Sequence, residues 1–122
     1  MLTQAYIPQD TDLRIIAIND TDADHLDDVT ASMRTLGAPD ILAVDMRDLY
    51  GAWVALEGSH RLAAASLLGL RPNIIPVDYS DDTLADAGVV DDSADDFTVA
   101  EICDDAYSRA HLEYVFPPVY AD

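Results

Sequence analysis

Residues Glu57-Gly58-Ser59-His60-Arg61 decide how this chain is read. They follow an apolar run, Ala52-Trp53-Val54-Ala55-Leu56, and lead into an alanine- and leucine-rich segment, Leu62 to Leu68, that closes at Gly69. The succession predicts a strand, a tight glycine turn and a helix. Such a turn leaves the first backbone N–H groups of the helix without intrahelical partners, and the helix dipole adds partial positive charge there. Gly58 permits close approach of a ligand to the backbone. Ser59, His60 and Arg61 add a hydroxyl, an imidazole and a planar guanidinium fork. Those groups suit an anion, and phosphate is the usual one at a helix start.

Upstream of the turn, Leu13 to Ile18 is a short apolar run with β-branched residues and reads as a first strand. Asp20, Asp22 and Asp24 load the entry of a helix, where negative charge suits the dipole. Leu26, Val29, Met33 and Leu36 then fall on one helical face, and Gly37 is placed to end it. The alternating aspartates do not make a calcium loop, because His25 stands where its glycine belongs and Ala31 where its final glutamate belongs. Ile41 to Val44 and the Trp53 run are separated by the turn Arg47 to Gly51, which predicts a hairpin. After the Leu62–Leu68 helix, Ile74-Ile75-Pro76-Val77 reads as a strand that Pro76 confines to a sheet edge.

The turn resembles the glycine-x-histidine-arginine signature of the ParB/sulfiredoxin-like superfamily, and the likeness extends to the order of elements. Helix ending in glycine, strand, strand, signature turn, helix ending in glycine and final strand match Ala23–Gly37, Ile41–Val44, Trp53–Leu56, Glu57–Arg61, Leu62–Gly69 and Ile74–Val77. The resemblance implies an α+β domain over residues 13–80, with a short mixed sheet backed by helices. An acidic connection over 81–96 is expected to be solvated, with at most a helical turn at Thr83 to Ala87. A C-terminal helix follows within 97–116, running from Val99 to about Glu113. Thr98 and Glu101 form its capping box, Phe97 and Ile102 its hydrophobic staple, and Pro117-Pro118 its stop.

Composition bounds the alternatives. At 122 residues, half of them hydrophobic, the chain is expected to form one globular domain. No apolar run is long enough to span a bilayer, and no basic-then-apolar leader opens the chain, so a cytoplasmic protein is expected. The single cysteine, Cys103, has no partner for an internal disulfide. Twenty-one aspartates and three glutamates face six arginines and no lysine, giving a formal charge of −18. That balance opposes direct nucleic-acid binding, which relies on lysine and arginine to neutralise phosphates. An aspartate-coated surface serves solubility, or it imitates a phosphate backbone and occupies the basic groove of a partner.

By the resemblance, Gly58, Ser59, His60 and Arg61 are the nucleotide-binding residues, with Arg61 bidentate on a phosphate. Sulfiredoxins carry cysteine where Ser59 stands, so their thiol chemistry is not expected; Cys103 lies on a different helix and reads as a core residue. Free-serine kinases of the superfamily have an acidic-glycine-histidine-histidine-arginine turn. The likeness makes Glu57 the candidate catalytic base, with Ser59 replacing the first histidine. Asp78, closing the last strand, is a candidate metal ligand on the same edge, and Mg2+ with ATP, ADP or CTP the implied cofactor. Partition members bind and hydrolyse CTP but continue into a helix-turn-helix region, where this chain has about forty acidic-rich residues. The expected function is nucleotide binding, extending to Mg-dependent phosphotransfer or NTP hydrolysis. The alternative is an acidic inhibitor that blocks a basic nucleic-acid-binding partner, such as a host defence nuclease.

Overall fold

The computed structural model describes residues 12–90 and 94–118. Its elements run β1 (Leu13–Ile16), α1 (Ala23–Leu36), β2 (Asp40–Met46), α2 (Arg47–Tyr50), β3 (Ala52–Ala55), α3 (Ser59–Leu68), β4 (Asn73–Pro76), α4 (Val99–Asp104), a 3-10 segment (Ala106–Leu112) and β5 (Glu113–Phe116). The fold is α+β, with a five-stranded mixed sheet in the order β4-β2-β3-β1-β5.

The hairpin expected from the sequence forms. The single turn α2, closed by Gly51 at φ 71°, reverses the chain so that Val44 pairs with Val54 and Met46 with Ala52. All four β3 residues are buried, as a strand covered on both faces requires. β1 lies parallel to β3, with Ile15 beside Trp53. β4 runs parallel to β2 on the outer edge, where the missing N–H of Pro76 breaks no ladder.

Side chains alternate across the sheet and divide the core in two. On one face, Ile15, Ile41, Ala43, Trp53, Ala55 and Ile74 pack against Met33 of α1 and Leu62, Ala64 and Ala65 of α3. The small side chains of α3 let that helix lie close to both the sheet and α1. Asp22 caps α1 by accepting from His25 N, and Gly37 N donates to Met33 O at its end.

The opposite face corrects two expectations. The described part of the 81–96 connection, residues 81–90 and 94–96, is more than solvated: Leu84, Val89 and Ala94 are buried against Ile16, Val44, Val54 and Leu56, while Asp81, Asp82, Asp86, Asp95 and Asp96 stay exposed. The buried residues recur every five positions, a spacing that matches neither helix nor strand and leaves no periodic signal. The C-terminal helix is also shorter than expected. Its capping box forms, with Glu101 N to Thr98 Oγ1 at 3.1 Å and Thr98 N to Glu101 Oε1 at 2.9 Å, but the α-helix stops at Asp104. A 3-10 segment kinked at Arg109 leads into β5, which pairs antiparallel with β1 from Leu13–Phe116 to Ile16–Glu113. Among the described residues, no helix is long and apolar enough to cross a membrane.

Candidate functional site

β1 and β3 are parallel neighbours, and each leads from its carboxyl end into a helix on the same face of the sheet. The carboxyl ends of these two strands therefore bring the starts of α1 and α3 side by side. Here a cleft of about 450 Å³ opens between the α3 turn, the start of α1 and the segment that returns across the second face. Its borders include His25, Glu57 to Arg61 and Arg109.

Gly58 is required by geometry. Its φ of 79° lies in the left-handed region, and a Cβ there would stand 2.7 Å from Ile41 Cδ1 and 3.1 Å from Arg61 Nη2. The start of α3 has no side-chain cap, and Leu62 N makes the first helical bond to Gly58 O. The three following side chains fasten this turn to its surroundings. Ser59 is buried and its Oγ accepts from Asn19 N at 2.9 Å. His60 Nε2 accepts from Asp22 N at 2.8 Å, which puts the proton of a neutral ring on Nδ1. The His25 ring stands edge-on to it, with centroids 4.4 Å apart. Arg61 donates through Nη1 to Asp40 O at 2.8 Å and pairs through Nη2 with Glu57 Oε2 at 3.0 Å. The sequence-predicted cluster is therefore brought together, and every side chain in it already has an internal partner.

Two roles expected from the sequence change. Glu57 is not poised toward a substrate hydroxyl, because its Oε2 holds Arg61 and receives a long contact, 3.4 Å, from Leu42 N. It positions the arginine. Asp78 does not share the edge of Glu57: β2 runs antiparallel to β3 and β4 parallel to β2, so β3 and β4 end on opposite sides of the sheet. Among the described residues no three metal-ligating side chains converge, and Glu57 and Asp78 do not build a resident magnesium site. Cys103 is a core residue, as expected; burial, with the charge of Asp104 beside it, pushes its thiol up to about 11.

The sequence reading missed Arg109. It borders the same cleft from outside residues 13–80, paired to Asp105 at 2.8 Å. Its signal was an arginine four residues after an aspartate in a tail otherwise rich in acid. Among the described residues, the border of the cleft carries more basic than acidic side chains, the reverse of the chain. The cleft takes two of the six arginines and two of the three histidines, and among the described residues Glu57 is the one carboxylate on its border. Comparison with protein-family models, curated proteins and solved structures gives no match to this chain.

Proposed function

We propose that the chain is a ParB/sulfiredoxin-like domain that binds the phosphate groups of a nucleotide in the cleft over the Gly58 turn. The observation that carries this reading is the segregation of charge. A chain of −18 keeps all but one of its described carboxylates off the border of a cleft that gathers Arg61, Arg109, His25 and His60. Solubility alone asks for no such exclusion; an anionic ligand does.

Glu57 acts in this account as an internal stand-in for the ligand, holding the Arg61 fork until a phosphate oxygen replaces it. The pair is partly exposed, at 37% and 24%, so its exchange costs little. A nucleotide arriving with its own Mg2+ carries less charge into an acidic protein. The reading is one of binding: with Glu57 engaged and Asp78 remote, no group-transfer step is assigned to these residues. The alternative, mimicry of a phosphate backbone, draws on exposed aspartates of α1 and of the 81–96 segment. Nothing beyond their charge favours it.

A melting assay with ATP, ADP or CTP and magnesium tests the proposal. At least one nucleotide is expected to raise the melting temperature, by mass action on the folded state, and Arg61→Ala to remove the shift. Unchanged melting with every nucleotide would count against it.

A further inference from the structure

We propose that Arg109 is a second anion-contacting residue of this cleft, so that the ligand is a di- or triphosphate spanning two arginines, not a single phosphate. The inference rests on the nucleotide-binding reading and adds to it a second contact residue, outside residues 13–80. Arg109 approaches the cleft from the kink of the 3-10 segment, where its φ is −106° and ψ 16°.

The two arginines differ in how well they are satisfied. Both hold a carboxylate four residues earlier in the chain, Glu57 for Arg61 and Asp105 for Arg109. Arg61 spends its other terminal nitrogen on Asp40 O. Arg109 Nη1 is buried and has no acceptor among the described residues. A charged donor shut off from both solvent and acceptor is costly, and its companion pair offsets only part of that, since it is partly exposed, at 23% for Arg109 and 58% for Asp105. The resting rotamer is thus weakly held. A turn of the side chain into the cleft it already borders exchanges an orphaned donor and a partly exposed pair for charge-assisted bonds to a ligand oxygen.

The volume agrees. About 450 Å³ falls within the range of sites that enclose drug-sized ligands and exceeds what one phosphate fills. One phosphoryl group would sit at Arg61 and the Gly58 turn, and a second would meet Arg109. Inorganic phosphate would use the Arg61 end alone.

Titration calorimetry with inorganic phosphate, pyrophosphate and ADP, on the wild type and Arg109→Gln, tests this. Arg109→Gln is expected to weaken pyrophosphate and ADP by about tenfold or more while leaving phosphate within about twofold. Its melting temperature is expected not to fall, because the substitution removes a buried donor that lacks an acceptor. Should Arg109→Gln fail to fold, Arg109→Lys keeps the charge without the fork, and the same selective loss is expected. Equal affinity for ADP in variant and wild type overturns the role of Arg109 and leaves that of Arg61 standing. Equal loss for phosphate and ADP also overturns it, as a general structural effect. A wild type that binds none of the three removes the nucleotide reading and this inference together.

Discussion

Replacing Gly58 with alanine probes whether the signature turn needs glycine for its backbone, for its packing, or for both. Two costs add at this position. The left-handed backbone, φ 79°, costs an L-residue about 1–2 kcal/mol. The new Cβ also meets Ile41 Cδ1 at 2.7 Å, and Ile41 is fully buried, so the methyl has nowhere to retreat. Overpacking of that kind costs about 1–3 kcal/mol. The sum is a loss of roughly 2–5 kcal/mol. Gly51 is the control: its φ is 71°, but a Cβ there meets nothing within 4 Å among the described residues. Gly51→Ala isolates the backbone cost, and the change in unfolded-state entropy is shared by both variants. Urea unfolding should therefore place Gly58→Ala about 1–3 kcal/mol below Gly51→Ala. In an Ile41→Val background, which lacks the obstructing Cδ1, the penalty of Gly58→Ala should shrink by a measurable coupling. Equal losses at the two glycines, or no coupling to position 41, would refute the close packing of the turn on Ile41.

Glu57→Gln should tighten binding of phosphate or nucleotide by up to about fivefold, since it removes a charge that competes for Arg61 in a partly exposed pair; weaker binding, read by calorimetry, would instead place Glu57 in contact with the ligand or its metal. Cys103, with its thiol pushed up to about 11 by burial, should label slowly with a thiol reagent at neutral pH in the native state and rapidly in urea. The same shift sets a pH dependence. An unfolded thiol loses its proton nearer its ordinary value of 9.0, so the unfolded chain releases it first as pH rises. The stability tied to the thiol is therefore complete below that value and declines toward pH 11. Cys103→Ala should flatten the stability curve over that interval, and an identical slope in the variant would contradict the assignment.

The elements with a regular period were legible in the sequence. The α1 stripe, the β2–β3 hairpin around Gly51, the Pro76 edge strand and the glycine turn before α3 each carry a local signal that the tertiary structure obeys. The second face of the sheet was not legible. Leu84, Val89 and Ala94 lie in short apolar stretches broken up by aspartates, and only the sheet surface beneath them makes them core. β5 was hidden for a related reason: Glu113-Tyr114-Val115-Phe116 follows a helical stripe and precedes two prolines, so it read as a helix end. What recruits it is the open edge of β1. At the site, the residue types were visible but their partners were not. Asn19 N, Asp22 N and Asp40 O are backbone groups distant in sequence, and no spacing announces that Ser59, His60 and Arg61 will bond to them.

The most direct measurement is a calorimetric titration of magnesium nucleotides into the wild-type chain and into Arg61→Ala. Saturable binding near one ligand per chain, abolished by the substitution, is the expected result. No binding of any nucleotide, or binding that survives the loss of Arg61, would contradict the account.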